Sequence, residues 1–176
     1  MNMKKQSVRR LCEAGLIAAL YTALTVLLQP IAFGNLQVRV SEALTILPVF
    51  TPAAVPGLAV GCALSNALCV AANPAGAWDI LFGTLATLAA ALLTRALRDV
   101  RFFGWPVLSA LPPVLFNGIV VGLELAIVYF DFSWLTYLIC ALEVAVGELI
   151  AAAGGGLLLW RWMPKRLFES PSSGTR

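Results

Sequence analysis

Long apolar runs separated by short polar or glycine- and proline-containing breaks are the feature that most constrains this chain. A helix needs about 20 apolar residues to cross the hydrocarbon core of a bilayer. The stretches that reach this length are Leu11–Phe33, Ala53–Ala72, Ala77–Leu97, Pro106–Phe130 and Ser133–Trp160. Apolar residues fill 60% of the 176 positions, more than a water-soluble core of this size can bury. The sequence therefore predicts an all-α integral membrane protein.

The positions of lysine and arginine predict the orientation and the domain limits. Every cationic residue except Arg39 lies near the N-terminus, within residues 95–101, or after Trp160. Loops rich in lysine and arginine usually stay in the cytoplasm. We therefore expect a basic cytoplasmic N-terminus over residues 1–10, a membrane domain over residues 11–160 and a basic cytoplasmic tail over residues 161–176. The protein is predicted to be a multi-pass protein of the cell membrane.

The same orientation requires a sixth, short crossing. The first span leaves the cytoplasm, so Gly34 lies outside, whereas the span that ends at Arg95 must begin outside. The stretch Ala53–Ala72 then has to run outward, and the chain must return inward between Gly34 and Ala53. The prediction is six transmembrane helices with both termini in the cytoplasm.

The short crossing is preceded by a segment with a period of two. Polar and apolar residues alternate from Asn35 to Ser41, which indicates an extended strand-like segment with one polar face. Ser41 is predicted to cap a helix from Glu42 to about Phe50, which would be only about 15 Å long. Non-helical backbone at membrane depth survives where it is buried in protein or lines a wet cavity. Residues 37–42 are therefore predicted to line a cavity that opens outward.

Most polar residues within the spans fall in the predicted outer half. Ionisable groups inside a membrane are costly, and they often mark a functional site. We interpret this asymmetry as an outward-facing pocket for a small solute. The candidate substrate-binding residues are Gln37, Arg39, Glu42, Asn66, Asp79, Asn117, Glu124 and Glu143.

Some of these residues also have simpler interpretations. Arg39 and Glu42 are three positions apart and could form an interfacial ion pair. Asn66 could serve only to bond a neighbouring helix, as membrane amides often do. Asp79 could be a loop-edge residue in headgroup water. Glu148 is predicted to point elsewhere on its helix and to lie deeper, without an assigned role.

The small residues of the first span and the aromatic residues near the membrane ends each have two interpretations. The rows Ala14-x3-Ala18 and Ala19-x3-Ala23 could serve internal packing or an outside partner, because small residues let helices approach closely. The aromatic residues near the predicted membrane ends are Trp78, Phe82, Phe116 and Trp134. Aromatic belts are common there, and one or two of these residues could equally stack on a planar solute.

The absent motifs disfavour an enzyme. The chain has no histidine, and it contains no phosphate-binding GxxxxGK[ST] loop, no GxSxG and no HExxH. The cysteines show no paired spacing that would suggest a zinc site or a disulfide framework. We expect no cofactor, no metal and no nucleic-acid partner.

The polar motifs resemble those of a known family. They are the run Gln37-Val38-Arg39-Val40-Ser41-Glu42-Ala43-Leu44, then Leu47-Pro48, then Gly57-x3-Gly61-Cys62-x3-Asn66, and then Asp79-Ile80-x2-Gly83-Thr84-x2-Thr87. Together they resemble the QueT family of queuosine-precursor transporters, substrate-binding S components of energy-coupling factor (ECF) importers. The resemblance extends from about Leu11 to Trp160.

The resemblance implies a six-helix S-component bundle with an outward pocket for a 7-deazaguanine such as preQ0, preQ1 or queuine. It implies that a transmembrane coupling protein and two ATPase subunits supply the energy for uptake. It also implies that small residues on the first helix dock the coupling protein, a role that Ala14, Ala18, Ala19 and Ala23 fit.

Two alternatives remain at this stage. The chain could be an S component for a different vitamin, or a self-sufficient secondary transporter that uses Glu124 and Glu143 for proton coupling. A membrane scaffold without transport activity would leave the outer acidic residues unexplained. The residues do not determine which precursor is bound, which carboxylate contacts it, or whether the ATPase module is shared.

Overall fold

The computed structural model describes residues 3–32, 38–73 and 76–164, and the regular secondary structure within them is helical apart from one isolated bridge between Phe102 and Trp105. The α-helices are α1 Met3–Leu27, α2 Gln29–Ala32, α3 Ala54–Leu68, α4 Trp78–Ala96, α5 Val107–Ala110, α6 Pro112–Tyr129, α7 Trp134–Glu148 and α8 Gly156–Trp162. A 3₁₀-helix, Val40–Val49, precedes α3, and a π-helix, Leu149–Gly155, joins α7 to α8.

Four helical segments of the described chain are long and apolar enough to cross a membrane: Gln6–Leu27, Trp78–Ala96, Val107–Tyr129 and Trp134–Trp162. The third comprises α5 and α6, and the fourth runs through α7, the π-helix and α8 without a break. These segments confirm the prediction of an all-helical protein with several membrane spans.

The stretch Ala53–Ala72 forms a shorter helix than the sequence predicts. Helix α3 has 15 residues and ends at Leu68, and the amides of Ala72 and Asn73 then bond back to the carbonyl of Cys69. Pro74 follows, and a residue before proline is disfavoured in the α conformation. The apolar run is therefore divided into a helix of about 22 Å and a turn.

The helix of the short crossing is the 3₁₀-helix Val40–Val49, which begins one residue before Ser41. The prediction that Ser41 caps this helix is wrong. Arg39 occupies the N-cap position without a side-chain capping bond, and the Ser41 hydroxyl instead pairs with that of Thr25 at 2.6 Å. The ten residues are wound as a 3₁₀-helix, whose rise of about 2 Å per residue gives a length near 20 Å. Arg39 is extended, whereas residues 33–37, which include most of the predicted extended segment, lie outside the described residues.

Close helix contacts hold α1 and the 3₁₀-helix against α3. A Cβ on Gly61 would lie 2.9 Å from Tyr21 Cβ and 3.0 Å from the carbonyl oxygen of Ala18, so a glycine is needed at this crossing. Tyr21, Leu44 and Leu58 pack in the same apolar cluster. At the far end of the 3₁₀-helix, Arg95 donates a 2.9 Å bond to the carbonyl of Pro48, which satisfies a helix-end acceptor.

Candidate substrate site

A buried ion pair between Arg39 and Asp79 lies at the centre of the site. Arg39 Nη2 donates to Asp79 Oδ2, and the two side chains are 7% and 0% exposed. Asn73 Nδ2 donates to the same Oδ2 atom at 2.7 Å, and Asn66 Nδ2 donates to the backbone carbonyl of Asp79 at 2.8 Å. Arg39 Nη1 lies 3.5 Å from Asn66 Oδ1. The network joins the start of the 3₁₀-helix to α3, to α4 and to the turn between them.

Gly83 makes room for this network. Asp79 and Gly83 lie one turn apart on the same face of α4, and a Cβ at residue 83 would overlap the Asp79 carboxylate. It would also lie 3.1 Å from Asn66 Nδ2. The small residue therefore lets the carboxylate fold back along its own helix and meet Asn66.

A second buried group links α1 to the 3₁₀-helix. The Tyr21 hydroxyl donates to Glu42 Oε1, and both side chains are almost fully buried. Glu42 Oε2 accepts no bond from the described residues. Arg39 and Glu42 therefore have different partners among the described contacts, and the simple Arg39–Glu42 ion pair is not formed.

A third polar pair lies between α6 and α7. Asn117 Nδ2 donates to Glu148 Oε1 at 2.7 Å, and both residues are buried. Glu148 lies within electrostatic range of Glu42, Arg39 and Asp79. The Asn117–Glu148 pair therefore lies in the same bundle as the Arg39–Asp79 and Tyr21–Glu42 pairs and close enough to interact with them electrostatically.

Glu124 lines a groove between the start of α4 and the end of α6. The groove has a volume of about 750 Å³ and is otherwise apolar, with Trp78 and Phe82 on the α4 side and Leu123 and Ile127 on the α6 side. Glu124 is 6% exposed, and neither carboxylate oxygen has a hydrogen-bond partner in the described structure. Arg39 and Asp79 lie within electrostatic range of it.

Residues 11–165 match the family model of the QueT transporter. The chain belongs to the QueT transporter family. No curated protein and no solved structure matches it significantly. The family and the apolar helices together make it a multi-pass membrane transport protein rather than an enzyme.

The QueT chain brings most of the predicted site residues together and leaves one apart. Arg39, Glu42, Asn66, Asp79, Asn117 and Glu124 are all buried in the bundle interior. Glu143 is exposed on the surface of α7. Gln37 lies outside the described residues.

Four residues that contact the predicted ones were not among the candidate substrate-binding residues: Tyr21, Asn73, Gly83 and Glu148. A tyrosine in the middle of an apolar span is a signal for Tyr21, because its hydroxyl needs a partner when it is buried. Asn73 stands at a helix end before a proline, where a turn residue is ordinary, so nothing in the sequence singles it out.

The two alanine rows of α1 face in different directions. A Cβ on Gly57 would lie 2.8 Å from the carbonyl oxygen of Ala14, and Ala18 is 6% exposed beside Gly61, so Ala14 and Ala18 pack against α3. Ala19 and Ala23 are exposed on the other side of α1. Of the predicted docking set, Ala19 and Ala23 are exposed, Ala14 is half-buried and Ala18 is buried.

Proposed function

We propose that this QueT transporter is the substrate-binding S component of an ECF-type importer and that it binds a 7-deazaguanine from the outer face of the cell membrane. In this proposal the coupling protein and two ATPase subunits are separate chains that drive uptake. The exposed alanines of α1, Ala19 and Ala23, are the docking residues, and the polar interior around Arg39 and Asp79 belongs to the substrate site.

One observation carries the proposal beyond the family match. Acidic and amide side chains from several helices are buried in the interior of the helical bundle, and several of their oxygens lack a partner among the described residues: Glu42 Oε2, Asp79 Oδ1, Glu148 Oε2 and both oxygens of Glu124. Buried acceptors that lack donors are costly. A ligand rich in N–H groups would satisfy them, and a 7-deazaguanine carries a ring N–H and an exocyclic amine on one edge.

Calorimetry on the purified chain tests the substrate. We expect saturable binding of at least one of preQ0, preQ1 and queuine, and no binding of thiamine or riboflavin at the same concentrations. Binding of another vitamin without any deazaguanine would leave an S component with a different substrate. Binding of none of these compounds would contradict the proposal.

Uptake assays in proteoliposomes test whether substrate accumulation depends on the partner subunits. The chain alone should bind its substrate without accumulating it, and ATP-dependent accumulation should appear when the coupling protein and the ATPase subunits are added. Accumulation by the chain alone, driven by a proton gradient, would instead support a secondary transporter. The exposure of Glu143 weakens that alternative, because Glu143 and the buried Glu124 do not share one buried environment.

A further inference from the structure

We infer that Glu124 is the specificity-determining residue of this transporter: its two unengaged oxygens bind two adjacent N–H donors on one edge of a planar ring that lies against Trp78 and Phe82. The inference rests on the proposed function and identifies which of the buried carboxylates meets the donor edge of the substrate.

The first argument is a comparison of the buried acidic side chains in the described residues. Asp79 accepts bonds from Arg39 and Asn73, Glu42 from Tyr21, and Glu148 from Asn117. Each of these three carboxylates is therefore held by the protein on one oxygen. Glu124 is also buried, with 6% of its surface exposed, yet both of its oxygens lack a donor among the described residues.

The second argument is the surroundings of Glu124. Its groove of about 750 Å³ lies within the size range of small-molecule pockets, and apolar side chains line the rest of it. Such a setting offers no competing acceptor, and a carboxylate there contributes strongly once donors reach it. Two parallel N–H groups match the two oxygens of a carboxylate, as they do in bidentate pairs.

The third argument is the pair of aromatic rings. Trp78 and Phe82 are one turn apart on α4, with ring centroids separated by 6.0 Å and planes inclined by only 27°. They line the same groove as Glu124, so a flat ring that places its donor edge on Glu124 can lie against them. Stacking on such rings tolerates many planar ligands, whereas the carboxylate selects those with the donor edge.

The experiment compares two ligands on matched variants. The ligands are preQ1 and an analogue in which hydrogen replaces the exocyclic amine, and affinities are measured by calorimetry. The parent should prefer preQ1 by about 10- to 200-fold, as expected for a hydrogen bond to a charged group. Glu124→Met should weaken preQ1 binding by at least this factor and reduce the preference to about one.

Glu143→Met is the matched control, because Glu143 is a surface glutamate on the neighbouring helix α7. It should leave both affinities and the preference at the parent level. Thermal unfolding adds a readout that a structural role would change. Because Glu124 has no partner in the described structure, Glu124→Met should not lower the melting temperature, and a clear drop would show that the residue supports the fold instead.

Substitution of Trp78 tests whether the substrate ring stacks on this side chain. Trp78→Leu should weaken preQ1 and its analogue by the same factor, about 5- to 150-fold, because stacking does not depend on the amine. Trp134→Leu, at the exposed start of α7, is its control and should leave binding unchanged. Equal effects of Trp78→Leu and Trp134→Leu would overturn the stacking part of the inference.

The two proposals fail in different ways. If the parent binds preQ1 and Glu124→Met retains the full preference for the amine, the inference about Glu124 is wrong and the proposed function stands. If the parent binds none of the deazaguanines, both are wrong.

Discussion

At the scale of single residues, the Arg39–Asp79 pair shows how two charged side chains are accommodated in this interior. Two charges removed from water lose hydration that their mutual attraction repays only with good geometry and further hydrogen bonds. Here Asn73 donates to the Asp79 carboxylate, and Asn66 Oδ1 lies near the Arg39 guanidinium. The pair therefore positions the start of the 3₁₀-helix on α4, and its removal should affect the fold as well as the site.

Asp79→Asn should lower the free energy of unfolding by about 3–5 kcal/mol, because it leaves the buried Arg39 guanidinium without its countercharge. The matched control is Asp99→Asn, since Asp99 is 81% exposed and pairs with Arg98 at 3.4 Å on the surface. That pair should contribute less than about 1 kcal/mol. Thermal unfolding in detergent compares the two variants.

Replacing both partners separates the charge effect from loss of packing. Arg39→Met combined with Asp79→Leu should be less destabilised than Asp79→Asn alone, because no unpaired charge remains. If the double variant lost as much free energy of unfolding as Arg39→Met and Asp79→Leu lose in sum, the two residues would not be coupled.

Helix α1 shows at the scale of elements how one helix can carry two rows of small residues in different surroundings. Its inner row, Ala14 and Ala18, meets the glycines of α3, and its outer row, Ala19 and Ala23, is exposed. Adjacent positions on a helix differ by about 100° in direction, so Ala18 and Ala19 can belong to different surfaces.

Tryptophan substitutions in the inner and outer alanine rows of α1 should therefore have different effects. Ala19→Trp or Ala23→Trp should abolish ATP-driven uptake while preQ1 binding by the isolated chain is retained, because the added bulk holds the coupling protein away. Ala18→Trp should impair folding of the isolated chain, because Ala18 is buried beside Gly61. Uptake in proteoliposomes and calorimetry distinguish these outcomes. Loss of binding in Ala19→Trp would mean that the outer row does not act in docking.

At the scale of the whole molecule, the relevant feature is how charged and polar residues are distributed between the two ends of α4. Arg95 lies in the last turn of α4, and Arg98 and Arg101 follow this helix, whereas Asp79 and the groove lie at its other end. If the cationic loops lie in the cytoplasm, Asp79 and the groove lie toward the outer face, which is the side that an importer requires. This orientation remains a prediction, and it can be measured without any ligand.

Single cysteines in a Cys-free background test the orientation of the chain. Ala77→Cys and Asp131→Cys should react with an impermeant thiol reagent added outside intact cells, and Asp99→Cys should react only after permeabilisation. Ala77 is chosen over Asn73 because Asn73 is buried against Asp79, whereas Ala77 is exposed. Labelling of Asp99→Cys in intact cells, with protection of the other two, would invert the topology.

The sequence by itself determined the class of the molecule. The apolar runs specify helices that cross a membrane, because each backbone polar group must be satisfied within its own segment in lipid. The position of the polar residues within those runs was also sufficient to select Arg39, Glu42, Asn66, Asp79 and Glu124 as interior candidates. Burial cost restricts such residues to the inside of a bundle or to a functional site.

Only the tertiary structure decided how those residues are paired. Arg39 meets Asp79, 40 positions away, rather than Glu42 on the adjacent turn, because the packing of the 3₁₀-helix against α4 sets which groups come within reach. Glu143 and Glu148 lie on the same helix, and five positions rotate a side chain by about 140°. Which of the two faces inward depends on the neighbours of α7, α6 above all, and no local pattern in the sequence contains that information.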